Sequence, residues 1–169
     1  MSSNGPSDCC RPVAHPTLEG ACPSCGNPGK PVQPVTLRAL LQSHLQEQVR
    51  DESYRFCGSP ACAVVYYLPG SSQIFAREAL TVRVGVKETS APHPLCYCFG
   101  HSEESLRETW LSTGKLTAVA AIQAAMKAGA CRCEVTNPQG SCCLGDVLRA
   151  GQEIQASAFQ PTPFGEVHC

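Results

Sequence analysis

The chain has 169 residues, 13 of them cysteine, and a formal net charge of -1 with its charged residues scattered, which leaves no basic footprint for nucleic acid and no acidic tail. No stretch approaches the ~18 consecutive apolar residues of a membrane span, because the longest alanine-rich run, 117–130, is interrupted by Gln123 and Lys127. The N-terminus Met1-Ser-Ser-Asn-Gly-Pro-Ser-Asp carries neither a basic n-region nor an apolar h-region, so the expected compartment is the reducing cytoplasm.

Residues 1–20 mix Pro, Ser and Gly with the doublet Cys9-Cys10 and have no apolar period, which predicts a disordered leader. Residues 21–90 then read as a small zinc-ribbon-like β subdomain. It opens on the loop Cys22-Pro-Ser-Cys25-Gly, followed by a short amphipathic helix with Thr36 as N-cap and Leu37, Leu40, Leu41 and Leu45 on one face. Two strands hinge at the Gly-Ser-Pro turn of Tyr54-Arg-Phe-Cys57-Gly-Ser-Pro-Ala-Cys62-Ala-Val-Val-Tyr-Tyr. Ile74-Phe75 adds a strand signal, and the alternation of Val82, Val84 and Val86 predicts another over 80–87.

Two prolines within Ala91-Pro-His-Pro-Leu mark a joint, and residues 91–155 read as a helical subdomain. One helix starts at the capping Ser102 with Glu103 and Glu104 in its first turn, buries Leu106, Trp110 and Leu111, and ends at Gly114. A second, Leu116 to Ala128, carries Val119, Ile122 and Met126 on one stripe and stops at Gly129. A weaker helical pattern begins at Asp146, and residues 156–169 read as a flexible tail. The fold class expected is α+β, a β subdomain followed by a helical one.

Most of the cysteines come in close pairs, which is the mark of metal ligation: one short loop supplies two of the four thiolates that a zinc ion or an iron-sulfur cluster requires. Cys22-x2-Cys25 and Cys57-x4-Cys62 form two knuckles that close a four-sulfur site, and redox-inert zinc is its natural occupant. Four thiolates leave no open position for a substrate, so the site is structural. The second set opens with Cys96-Tyr-Cys98, then two helices, then Cys131, Cys133, Cys142 and Cys143. This is the layout of a small helical 2Fe-2S domain, with four later cysteines competing for two places. Cys133 with Cys143 is the preferred pair and Cys131 with Cys142 the alternate. Tyr97 and Arg132 lie inside these loops, where they are placed to tune a cluster or simply to pack.

The spacing from Cys98 to Cys131 resembles that of the bacterioferritin-associated ferredoxin family, in which a C-x-C pair opens the domain and a second pair closes it. The stretch from Cys22 to Val147 also resembles the N-terminal domain of the CopZ copper chaperones. The residues carrying that resemblance are Cys-Pro-x-Cys-Gly at 22–26, Phe-Cys-Gly-Ser-Pro-Ala-Cys at 56–62, Leu-Cys-Tyr-Cys-Phe-Gly at 95–100, and Cys-x-Cys-Glu-Val-x-Asn-Pro-x-Gly-Ser-Cys-Cys-Leu-Gly-Asp-Val at 131–147. The resemblance implies one zinc ion on Cys22, Cys25, Cys57 and Cys62, and one 2Fe-2S cluster on Cys96, Cys98 and one residue from each later pair. It also implies an association with copper. CopZ chaperones carry in addition a Met-x-Cys-x-x-Cys copper loop, which does not occur in these 169 residues.

Two functions follow as expectations. In the first, the protein passes single electrons in copper homeostasis, reducing cupric to cuprous ion for a copper chaperone or transport ATPase, or serving a redox protein. In the second, it is a non-redox thiol module whose spare groups, Cys9-Cys10, Cys131, Cys142 and His168-Cys169, capture a soft ion such as cuprous or mercuric. No Gly-x-Ser-x-Gly, phosphate loop or spaced carboxylate and histidine set supports an enzyme.

Overall fold

A computed structural model describes residues 20–158, so all but the last residue of the expected leader and most of the tail, with Cys9, Cys10, His168 and Cys169, lie outside the described residues. The first half is built on a four-stranded antiparallel sheet, β1 (Lys30–Val32), β2 (Tyr54–Phe56), β3 (Val64–Tyr67) and β4 (Ile74–Ala76), in the spatial order β1-β2-β3-β4. Strand β3 is buried along its whole length. A register shift between Val64 and Tyr66 lets Val65 and Tyr66 join one core with Tyr54, Phe56 and Phe75, while Val64 and Tyr67 pack among the thiols of Cys22, Cys57 and Cys62. The central strand thus separates an aromatic core from a sulfur-rich one.

The predicted helix forms with a different start and an interruption. Helix α1 (Pro34–Leu40) opens on a proline, whose fixed φ and missing N–H suit the first helical position. Thr36 is therefore inside the helix, fully buried, with its hydroxyl donating to the carbonyl of Glu134 at 2.7 Å. The helix breaks at Leu41 because the neighbouring backbone groups bond elsewhere: the amide of Thr81 donates to Leu40 at 2.8 Å and the amide of Gln42 to Ala79 at 2.9 Å. A single turn, α2 (Ser43–Gln46), follows.

The strand expected over 80–87 does not form. Leu80 makes one isolated bridge to Leu41, Val84 is buried, Val86 is exposed, and 85–87 coil into a 3₁₀ turn. The physical reason lies at its two ends. Lys87 is pulled under the second cysteine knuckle, and Gly85 lies so close to Pro94 that a Cβ would sit 1.9 Å from the Pro94 carbonyl oxygen.

The second half begins with a small hairpin that the sequence pattern missed, β5 (Pro94–Cys96) and β6 (His101–Ser102). Helix α3 (Glu103–Thr113) starts at Ser102, as expected, in a capping box: the Ser105 amide donates to Ser102 Oγ at 3.2 Å and the Ser102 amide to Ser105 Oγ at 3.0 Å. Gly114 ends the helix in the left-handed region at φ 67°. Leu106 is buried and Trp110 partly so, but Leu111 points to solvent, 75% exposed. Helix α4 (Thr117–Lys127) buries Ile122 and leaves Met126 exposed at its far end. A short α5 (Cys133–Thr136) precedes α6 (Leu144–Ala158), which starts two residues before Asp146 and is longer than its sequence pattern indicated. Leu106, Ile122, Val147, Ala150 and Ile154 form the core of this half together with Cys96, Cys133 and Cys143. Among the described residues no helix is long and apolar enough to cross a membrane.

The two halves are tied by polar contacts as well as packing. Tyr66 donates its hydroxyl proton to the Pro138 carbonyl at 2.8 Å, and Lys30 reaches Gln139 Oε1 at 3.0 Å.

Candidate metal centres

The first centre is assembled from two turns. In the loop after Cys22, Gly26 takes φ 73°, which turns the chain so that its amide donates to the Cys22 carbonyl at 2.8 Å. The second turn leaves β2 at Cys57, whose amide stays on the sheet through Val65 at 2.8 Å, and closes with the Cys62 amide on Ser59 at 3.2 Å. The four sulfurs of Cys22, Cys25, Cys57 and Cys62 all lie within 4.8 Å of one another. Cys22 and Cys62 are 3.9 Å apart, and Cys25 and Cys57 3.6 Å. Zinc–sulfur bonds of roughly 2.3 Å in a tetrahedron require an edge of roughly 3.8 Å. The donor set therefore fits a tetrahedral ion.

Electrostatics explain why these thiols want a cation. Desolvation pushes Cys57 up to about 12 and raises Cys22, so neither ionises readily in its buried place. At the exposed Cys25 desolvation also raises the value, but bonds with the Asn27 backbone and the Ser59 hydroxyl outweigh it and bring that thiol down to about 6. Loading an ion must displace protons from the buried pair, which makes affinity rise with pH. A residue not anticipated from the sequence also serves this site. Lys87 is buried, its ammonium donating to the carbonyls of Ser59 at 2.8 Å and Cys62 at 2.9 Å, and its charge is felt by all four thiols. Desolvation lowers its own pKa. Only a lysine at the end of an alternating valine run marks it in the sequence.

The second group of thiols comes from three elements. Cys96 ends β5 and Cys98 sits in the turn that follows, where Gly100 takes φ 69°. Cys133 opens α5, and Cys143 immediately precedes α6, its carbonyl accepting from the Val147 amide at 3.0 Å. Cys98 and Cys133 bring their sulfurs to 3.7 Å, and Cys96, Cys133 and Cys143 belong to one buried cluster against which Cys98 packs. Cys96, Cys133 and Cys143 are buried and Cys98 half-buried. Burial pushes Cys133 up to about 12, and burial with the adjacent Cys96 thiol raises Cys143. Cys98 Sγ receives the Arg132 amide at 3.3 Å and lies 3.1 Å from Thr136 Oγ1.

Two further cysteines lie nearby. Cys131 is half-buried at the margin of this group, and Cys142 is exposed, its sulfur 3.8 Å from Met126 Sδ. All ten described cysteines are free thiols. Arg132 meets the group only through its backbone. Tyr97, in contrast, joins two segments: its hydroxyl accepts from the Gly85 amide and donates to the Arg83 carbonyl, both at 2.9 Å. Desolvation pushes that hydroxyl up to about 12.

Comparison with known proteins places this arrangement. Residues 19–81 match the CopZ-type family described as "Zinc binding domain". The X-ray structure of the Archaeoglobus fulgidus CopZ N-terminal domain superposes with a TM-score of 0.65 at 36% identity, over 78% of this chain and 97% of that one. The chain belongs to the family of CopZ N-terminal zinc-binding domains. It is also 36% identical over 130 residues to the copper chaperone CopZ of Archaeoglobus fulgidus, a match that takes in 77% of this chain and 61% of that protein. The mixed α+β architecture and the four-cysteine group are accordingly those of a CopZ-like metal-binding protein.

Proposed function

We propose that the chain is a redox protein of copper handling, with zinc on Cys22, Cys25, Cys57 and Cys62 and a 2Fe-2S cluster on Cys96, Cys98, Cys133 and Cys143. The observation that carries this reading is the gathering of those last four cysteines, from a hairpin and two helix starts, into one buried cluster, with the Cys98 and Cys133 sulfurs 3.7 Å apart. Four soft donors with no carboxylate or imidazole among them suit iron and sulfide. The helical half then has the plan of a bacterioferritin-associated ferredoxin, and Cys131 and Cys142 are bystanders to the cluster.

Such a cluster, when bound, supplies a one-electron couple. The chain's own residues govern how it is used. Cys96 and Cys143 lie in the apolar core with Leu106 and Val147, which keeps water from that edge. The Arg132 amide donates to Cys98 Sγ, and a hydrogen bond to a ligand sulfur stabilises the reduced, more negative state. Half-buried Cys98 is the edge nearest solvent, and so the exit for the electron. Cupric ion is the substrate that fits: one electron converts it to cuprous ion, the form soft sulfur ligands retain. The partner in this reading is a copper chaperone, a copper-transporting ATPase or another redox protein, in the cytoplasm.

Anaerobic purification, a visible spectrum and stopped-flow mixing of the dithionite-reduced protein with cupric ion test the reading. Red-brown protein that reoxidises as cuprous ion forms is the expected result; colourless protein, or reduction undiminished in Cys96→Ser, contradicts it. A second reading, a non-redox soft-metal module, draws on the exposed Cys142 thiol beside the exposed Met126 thioether. It requires colourless protein whose cuprous affinity falls on Cys142→Ser.

A further inference from the structure

Between the two groups of thiols runs a five-residue strap, Arg83 to Lys87, held at both ends by the elements that carry cysteine. At one end the Lys87 ammonium spans the Ser59 and Cys62 carbonyls, the backbone of the second zinc knuckle. At the other end the Gly85 amide donates to the Tyr97 hydroxyl, which in turn donates to the Arg83 carbonyl, and Tyr97 is the residue between Cys96 and Cys98. The backbone of Gly85 lies directly on Pro94, at the start of the strand that ends in Cys96. A third bond fixes the Lys87 end of the path, Arg77 donating to the Lys87 carbonyl at 2.7 Å.

The packing around the strap leaves these bonds to carry the connection. A cleft of about 340 Å³ opens between the halves, bordered by Val84, Gly85, Tyr97 and Pro138, so the seam is incompletely filled by apolar side chains here. A phenol hydroxyl both accepts and donates, and Tyr97 uses both capacities on the strap backbone. Lys87 is 1% exposed and would be an unpaired buried charge if the Ser59–Cys62 turn moved away. The turn carries Cys57 and Cys62, two of the four thiols close enough to share one ion, so an ion bound there would restrain it. The turn is thereby linked through Lys87 and Gly85 to the Tyr97 hydroxyl.

We propose that the Arg83–Lys87 strap couples the two metal centres, with Lys87 and Tyr97 as positioning residues through which zinc occupancy holds the Cys96–Cys98 loop in its ligating shape. The inference rests on the cluster assignment above for one of its two readouts. Coupling of this kind is reciprocal, so loss of the cluster loosens zinc as zinc loss loosens the cluster.

The test uses the full chain as purified, with zinc stripped anaerobically by a chelator and two quantities followed: amide hydrogen exchange over 94–100, and bleaching of the visible band by an iron chelator. In the wild type, zinc removal accelerates both by roughly tenfold. In Lys87→Met and Tyr97→Phe both are already fast with zinc bound and change little on its removal, while Val86→Ala, an exposed position on the strap, behaves as wild type. Unchanged exchange and bleaching in the wild type after zinc removal overturn the proposal, as does wild-type coupling in both variants. If the protein is colourless the cluster assignment has failed, and the exchange arm alone decides: faster exchange over 94–100 on zinc removal sustains the strap, and unchanged exchange refutes it.

Discussion

The two cysteine-rich halves reach their geometry by opposite routes. In the first, two tight turns each deliver a pair of thiols, and the sulfurs lie within 4.8 Å of one another, close enough for one ion. In the second, six cysteines are available, Cys96 and Cys98 in one hairpin, and Cys131, Cys133, Cys142 and Cys143 around the starts of α5 and α6. The first group packs in a small cluster with Val64 and Tyr67 of the central strand, and Cys96, Cys133 and Cys143 belong to the larger apolar cluster of Leu106, Ile122 and Val147. The contrast teaches that the first four thiols already stand at the distances one ion requires, whereas the cysteines of the second half are set apart by burial, Cys96, Cys133 and Cys143 inside the core and Cys142 exposed.

The largest effect follows from the first half. Cys57→Ser removes a buried sulfur from the four and should release zinc, lower the melting temperature sharply and cost several kcal/mol, since structural zinc binding is coupled to folding; zinc content and thermal melts check this. A normal zinc content in that variant would make the local-turn account wrong. Next in size is the sorting of the second half. Serine at Cys133 or Cys143 should abolish bound iron, while serine at Cys131 or Cys142 should leave it within about 20% of wild type, the all-thiolate cluster needing four ligands. Comparable iron loss in all four variants would erase the distinction between the buried and marginal thiols.

A smaller effect probes the seam between the halves. Tyr66→Phe strips the buried Pro138 carbonyl of its donor and should destabilise the protein by about 1–2 kcal/mol, measured by denaturant unfolding, with zinc and iron retained. The smallest concerns pH. His93 bonds to the Glu104 carboxylate, Nδ1 to Oε1 at 2.5 Å, and holds it down at about 2 rather than the ordinary 4.5. A carboxylate depressed in the folded state contributes stability above the ordinary value and loses it as pH falls from there toward 2. Because the Glu104 side chain is 40% exposed, Glu104→Gln should cost only a few tenths of a kcal/mol at about pH 6. The melting curves of the variant and the wild type should converge near pH 2.

Much of this was legible because it is local. The knuckle spacing, the Ser102 cap, the Gly114 stop and the hinge between β2 and β3 all depend on residues a few positions apart. The failures share a different cause. Val82, Val84 and Val86 carry a strand's alternation, yet the segment is diverted by Lys87 and Gly85, whose partners Cys62 and Pro94 are distant or on another element. Thr36 has the sequence look of a cap because its carbonyl partner, Glu134, is far along the chain. Leu111 fits the helical stripe but faces solvent, because the neighbouring helices cover α3 nearer Leu106 and Trp110. Likewise, no spacing rule could show that Cys133 is buried and Cys131 only half-buried, because burial is a property of the folded chain.

The most direct test of the two-centre account is quantitative metal analysis of the full chain purified without air, with zinc, iron and acid-labile sulfide measured on the same sample. The account predicts about one zinc, two irons and two sulfides per chain, in keeping with one four-thiolate ion and one four-thiolate 2Fe-2S cluster. Two zincs with no iron or sulfide would contradict it.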